Sequence, residues 1–333
     1  MDKNVDKYLI NIWFILVLFL IPLFFLSYNT QLISNSSLMN LNTIFLSILI
    51  EALPFVLIGV LIAGFIQIFL TEELIQKWIP KNKFMAAIMG CAIGALFPAC
   101  ECGIVPIVRR LIFKGVPLHA AIGFMLTGPL INPIVIFSTY MAFGNNLKIA
   151  VLRMILGFLI AIIVSLIICL LFKGSQFKAK INNDKTLKKI EQQPFAKKFF
   201  NMLKHSIDEF FDMGKYLIIG AFLAAFVQTY VSTKALVEIG NDLASSLFVM
   251  MFLAFILSLC SSADAFIGAS FSSIFPTTSI LAFLILGPMI DLKNTIMLLG
   301  VFRFKFVIGL LIAIISIIYS ILFILSGFIG GNI

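Results

Sequence analysis

Apolar residues fill this chain in long runs separated by short polar or basic stretches. The runs cover approximately 10–27, 43–70, 84–108, 116–143, 147–172, 214–231, 245–274, 277–301 and 304–326. Several exceed the roughly 20 residues that a helix needs to cross a hydrocarbon core of ~30 Å. The pattern predicts an all-α polytopic membrane protein with about eight to nine hydrophobic segments. One stretch has a different rhythm. Between Pro194 and Met213 the residues Phe195, Phe199, Leu203, Ile207 and Phe211 recur every four positions among lysines and acids. That spacing predicts an amphipathic helix lying on the membrane surface.

Composition strengthens the first reading: 61% of residues are hydrophobic and 12% are charged. A soluble domain of this length would carry far more surface charge, so a single soluble fold is excluded. The net charge of +9 is concentrated rather than spread. Lys173, Lys178, Lys180, Lys185, Lys188, Lys189, Lys197, Lys198 and Lys204 fall in one stretch, opposed there only by Asp184 and Glu191. Lysine clustered beside spans marks the cytoplasmic side and attracts anionic lipid. We therefore expect lipid, not nucleic acid, as its counterpart.

The same rule orients the chain. Lys3 and Lys7 precede the first run, whereas 28–42 has no Lys or Arg. This places the N-terminus and the basic stretch 173–205 in the cytoplasm, and 28–42 outside. A full crossing by 84–108 would strand Arg109, Arg110 and Lys114 outside. A re-entrant hairpin there removes the conflict, and Gly90, Gly94, Pro98, Gly103 and Pro106 interrupt its helix pattern. Broken backbone at membrane depth is tolerated where it is buried in protein or lines a wet cavity.

A shift of about 160 residues brings out an internal match. EALPFVLIGVLIAGFIQ (51–67) lies over DMGKYLIIGAFLAAFVQ (212–228), pairing Glu51 with Asp212 and Gln67 with Gln228. Further on, Cys100 falls opposite Cys260. MLTGPLINP (125–133) lies over LILGPMIDL (284–292), pairing Gly128 with Gly287, Pro129 with Pro288 and Asn132 with Asp291. By the charge argument the two copies run in opposite directions through the membrane, as two inverted-topology repeats with broken or re-entrant helices. That architecture recurs among secondary transporters, with the solute site at the repeat interface. The organisation expected is an N-terminal span and external loop (1–42), repeat 1 (43–172), a basic cytoplasmic linker with the amphipathic helix (173–211) and repeat 2 (212–333).

Two blocks could carry chemistry. FPACECG (97–103) offers Cys100 and Cys102, soft sulfurs suited to metals and metalloids, and Glu101, a carboxylate that costs too much in lipid to be idle. Arg109 or Arg110 is its expected partner. LCSSADAFIGASFSS (259–273) offers Cys260, Ser261 and Asp264, an acid in an apolar segment. Asn132 and Asp291 are candidate polar contacts in a shared cavity. Pro98, Gly103, Gly128, Pro129, Gly287 and Pro288 are candidate helix breaks. Cys91 and Cys169 read as packing residues. No phosphate-cradling loop, zincin motif or hydrolase elbow is present, so an ATP-driven mechanism would need another subunit and no cofactor is expected.

PACECGIVPIVRRLIFKGVPLHAAIGFMLTGPLINP (98–133) together with CSSADAFIGASF (260–271) resembles the ArsP-like family of permeases, over most of the chain from about 45 to 326. The resemblance implies a permease of the cytoplasmic membrane with both blocks near the transport path. It also implies arsenic resistance by efflux of trivalent organoarsenicals as the best-described activity, with Cys100 and Cys102 as candidate ligands to a soft metal or metalloid. Two other readings stay open: an intramembrane thiol redox enzyme using Cys100 and Cys102, and the membrane subunit of a multi-component transporter. The partners expected are a small-molecule or ion substrate, membrane lipid, and either further copies of this chain or a partner membrane subunit.

Overall fold

The computed structural model describes residues 36–69, 79–80, 82–97, 99–178, 195–230 and 242–329. The expected first span at 10–27, Lys77, Lys81, Pro98 and most of the basic linker lie outside the described residues. Within them the chain is helical apart from short links and one isolated β-bridge. The first half contributes α1 (Ser36–Phe69), α2 (Lys83–Leu96), α3 (Glu101–Phe113), α4 (Leu118–Thr127), α5 (Pro133–Ala142) and α6 (Leu147–Leu171). The second contributes α7 (Phe195–Tyr230), α8 (Leu243–Leu257), α9 (Ala263–Ser270), α10 (Thr277–Met289), α11 (Leu292–Val301) and α12 (Phe304–Ile329).

Among the described residues, five stretches are long and apolar enough to cross a membrane: Ser37–Gln67, Leu147–Leu171, Phe199–Tyr230, Thr277–Val301 and Phe304–Gly327. Exposed Ile50, Leu159, Phe222, Ile312 and Ile324 stand on these long helices. Such faces would be a liability in water but are the expected contact with lipid. The protein is an all-α, multi-pass membrane protein.

Local chemistry sets where helices start. Asn82, Asn132 and Asn146 each accept a hydrogen bond from the backbone N–H two residues on, starting α2, α5 and α6. Asp291 caps α11, accepting from Asn294 N, three residues on, at 2.5 Å. These caps satisfy donors that a helix leaves open. They also decide the breaks. Gly128 and Pro129 lie in the turn between α4 and α5, as expected. Gly287 and Pro288, expected to be the break itself, belong to the end of α10, and the chain opens two residues later at Ile290 and Asp291. Proline near a helix end removes one donor without stopping the helix, and the cap at Asp291 starts the next one. Gly103 is likewise inside α3. Its role is closeness, because a Cβ there would sit 2.6 Å from Phe55 O of α1.

The segment read as a hairpin reverses direction. Added Cβ atoms at Gly90 and Gly94 would lie 2.2 Å from Ala120 O and 2.5 Å from Phe124 O, so α2 and α4 run side by side in the same sense. Ile104, near the start of α3, reaches Gly128 at the far end of α4. Thus α3 runs back antiparallel to both after the extended links at Phe97 and Cys100. At 1.5 Å per residue the 14 residues of α2 span about 21 Å, too short to cross alone.

The two halves show the same order of elements, and the packing pairs match. α2 packs on α4 and α6, and α8 on α10 and α12; α5 of the first half meets α9 of the second, and α11 meets α3. The largest contact between the halves is α1 on α7. Phe45 stacks edge-on against Phe222 with centroids 6.1 Å apart, while Ser206 Oγ donates to Val60 O at 3.2 Å, so these two helices are antiparallel.

The expected amphipathic helix forms the first half of α7, unbroken to Tyr230. Its stripe faces outward at Phe199 and Ile207, which are exposed, whereas Met202, Ser206, Glu209 and Met213 are buried. Glu209 is why. It accepts from Arg109 Nη1 at 3.1 Å and from Arg110 Nη2 at 2.8 Å, pinning α7 to α3.

Candidate functional site

Four helix starts converge on one cavity of about 180 Å³. α3 brings Cys100, Glu101 and Cys102; α5 brings Asn132 and Ile134; the turn before α9 brings Cys260, Ser261 and Ser262; α11 brings Lys293. Glu51 and Phe55 of α1 complete the wall together with Pro129. The halves meet here by equivalent residues. Ser261 stands 160 positions after Glu101, and its Oγ donates to Glu101 Oε2 at 3.3 Å. Asn132 and Asp291 both cap helices, but only Asn132 lines the cavity, while Asp291 lies behind Lys293.

Arg109 and Arg110 are not the partners of Glu101, since both are taken by Glu209. Glu101 pairs with Lys293, whose Nζ lies 3.3 Å from Oε1, with the two side chains 5% and 3% exposed. Lys293 also sits 3.5 Å from Asp291 Oδ2 and donates to Ser258 O at 3.2 Å. A buried ammonium needs such company, because an unpaired charge in the interior costs several kcal/mol.

Asp264 is buried in the first turn of α9 and does not line the cavity. Its Oδ2 presses on Gly287, where an added Cβ would be 2.6 Å away. The matching niche in the first half holds Ile104 against Gly128, also at 2.6 Å. The paired glycines therefore each admit one side chain from a short helix. Behind Asp264 lies Arg153, 1% exposed, donating to Thr139 Oγ1 at 2.7 Å and to Ser261 O at 3.2 Å. Asp264 Oδ2 and Arg153 Nε make no hydrogen bond.

Lys293 and Arg153 escaped the sequence reading although each is a cation well inside an apolar run. Such a residue inside a span must find an acid or a carbonyl, and that signal would have singled out both. Glu51 and Asp212, matched in sequence, differ in place: Glu51 is on the cavity, while Asp212 is half exposed and pairs with Lys215 at 3.4 Å. Cys91 packs within α2, and Cys100, Cys102 and Cys260 are free thiols on the cavity wall. Among the described residues no group of three or more His, Cys, Asp or Glu side chains is placed to hold a metal ion.

The family ArsP_1, described as a predicted permease, matches residues 37–327, a range that contains every group on the cavity. The chain belongs to that family. Among its relatives is the UPF0718 protein YcgR of Bacillus subtilis, 51% identical over 288 residues, or 86% of this chain and 97% of that protein. A Streptococcus mutans protein described as a candidate subunit of a two-component membrane permease complex is 44% identical over 277 residues, or 82% of this chain and 90% of its own length. The UPF0718 protein MJ0584 of Methanocaldococcus jannaschii is 25% identical over 166 residues, 48% of this chain and 45% of that protein. No solved structure matches the chain significantly. Membership of a permease family and the apolar spans make this a membrane transport protein.

Proposed function

We propose that this permease carries a small thiophilic solute, such as a trivalent organoarsenical or soft metal ion, out of the cell through the cavity between 97–103 and 259–264. One observation carries the reading: the two motif blocks, 160 residues apart, supply three thiols and a carboxylate to a single cavity at the ends of broken helices. Cys100, Cys102 and Cys260 would offer sulfur to a soft electrophile. Glu101 would balance its charge, Asn132 would shape the wall, and Asp264 with Asp291 would hold the polar backing. The opposed directions of α1 and α7 and the recurring element order favour repeats that are inverted in the membrane (43–172 and 212–333). Alternating access then follows from rocking one half against the other. The basic stretch 173–205 would face the cytoplasm.

Everted vesicles from cells expressing the protein test this directly. Gradient-dependent accumulation of trivalent methylarsenical, arsenite or zinc, lost in Cys100→Ser and Asp264→Asn, is the expected outcome. No accumulation of any soft solute would remove the sulfur-ligand reading and return the cysteines to packing.

The description of the Streptococcus mutans relative favours a second reading, in which this chain works with a partner membrane subunit. Co-purification of one stoichiometric membrane protein with the tagged chain would support it, and transport by the chain alone in reconstituted vesicles would oppose it.

A further inference from the structure

We propose that the Lys293 ammonium is a resident cation in an oxygen cage, and that a small cationic solute is carried by taking its place on Glu101. The cage draws its oxygens from three separate elements. Glu101 Oε1 lies at 3.3 Å on the first turn of α3, Asp291 Oδ2 at 3.5 Å at the start of α11, and the Ser258 carbonyl at 3.2 Å at the end of α8. Two carboxylates and a carbonyl are the hard donors that suit alkali and ammonium-type cations. Each contact is longer than the ~2.7–2.9 Å of a well-formed charge-assisted N–H···O bond, so the cage is wider than the head it holds.

Its third wall is an unusual piece of backbone. Ser258 is one of two non-glycine residues among those described with positive φ, at 45°. Its Oγ accepts from Lys293 N at 3.4 Å while its carbonyl accepts from the ammonium. Residues held in sparsely populated conformations cluster at ligand sites, where surrounding contacts over-determine them.

The first half supplies an internal control. At 159 positions before Lys293 the cavity wall carries Ile134, and α5 starts from Asn132 rather than from an acid. An apolar side chain therefore serves the same place in the fold, and the lysine is an addition of the second half. Positive helix ends would otherwise attract anions, but Asn132 and Asp291 cap the starts of α5 and α11, and Glu101 and Asp264 put a carboxylate in the first turn of α3 and α9. Glu51, on the same cavity, has no cationic partner among the described residues. It gives an arriving cation a first contact and a displaced ammonium a carboxylate to move to. One positive charge then replaces another on Glu101, and the extra positive charge that the cavity gains is balanced by Glu51. The exchange rests on the chain being a permease through this cavity and not on a thiophilic solute, and the cage rests on neither.

Thermal unfolding of the purified full-length protein in detergent tests the cage without a known solute. Methylammonium chloride is the probe because it reproduces the missing side-chain head, and choline chloride at equal concentration is the oversized control. Methylammonium should raise the Tm of Lys293→Ala saturably, choline should not, and the wild type should respond to both alike. Adding Glu101→Gln should weaken the methylammonium response by about tenfold or more, the loss of one charged partner. Equal responses of Lys293→Ala to both salts, or an undiminished response in the double variant, would overturn the proposal. Should Lys293→Ala not fold, Lys293→Gln carries the same test with the same criteria. A methylammonium response without solute accumulation in vesicles would keep the cage and count against the permease reading. Accumulation without that response would overturn the cage alone.

Discussion

Asp264 and Ile104 stand at equivalent places in the two halves, and each fills a niche that its glycine leaves open. The methyl tip of Ile104 can turn aside when Gly128→Ala adds a Cβ. The Asp264 carboxylate has no such freedom, buried as it is between Gly287 and the Arg153 side. Overpacking typically costs about 1–3 kcal/mol. Gly287→Ala should therefore lie at the upper end of that range and Gly128→Ala near or below the lower end, read as the difference in thermal unfolding in detergent. Equal losses would mean that the carboxylate is as mobile as a methyl group. A second residue-scale expectation concerns Glu209, which holds two guanidinium groups at 2.8–3.1 Å. Glu209→Ala removes the acid that joins α7 to Arg109 and the buried Arg110, and should destabilise by up to about 3–5 kcal/mol. The sequence showed these charges but not their pairing. Proximity along the chain favoured Glu101 with Arg109 or Arg110, and the fold instead joins residues about a hundred positions apart or more.

At the scale of elements, α7 shows what a four-residue period leaves open. The stripe at Phe199 and Ile207 was legible, but a stripe alone does not say whether it meets protein, the membrane surface or lipid. Glu209 decides it by turning the other face inward. A cysteine at Ile207 should react with a lipid-soluble maleimide, and one at Ser206 should not. Reactivity at Ser206 alone would mean that the helix is rotated. The link after α6 gives another expectation. Phe177 stacks between Phe113 at 4.5 Å and Phe302 at 5.3 Å, and Arg303 N donates to Gln176 O at 2.9 Å across the one β-bridge. This strap ties the end of the first half to the junction of α11 and α12. Phe177→Ala removes a buried ring from that stack and should destabilise by about 3–5 kcal/mol.

For the whole molecule, the testable feature is the relative direction of the halves. The link at Lys114 joins α3 to α4, and Ser273 holds the corresponding place between α9 and α10. In a background without the native cysteines, single cysteines at Lys114 and Ser273 should label with an impermeant maleimide from opposite faces of intact cells. Labelling from the same face would remove the inversion and leave two parallel repeats. Charge counting alone supports cytoplasmic labelling of Lys114, and the reversal of the chain between α2 and α3 is what makes that possible without a further crossing.

Apolar run length determined the class of the protein from the sequence, because hydrocarbon accepts only backbone whose hydrogen bonds are closed within the segment. Motif order determined the family and brought Cys100, Glu101, Cys102, Asn132, Cys260 and Ser261 forward as neighbours. The tertiary structure alone decided which charge neutralises which. Lys293 meets Glu101 across 192 residues because two helix starts from different halves converge on one cavity. No local propensity encodes that distance, since an ion pair in a low-dielectric interior depends on where its groups end in space and not on their separation along the chain.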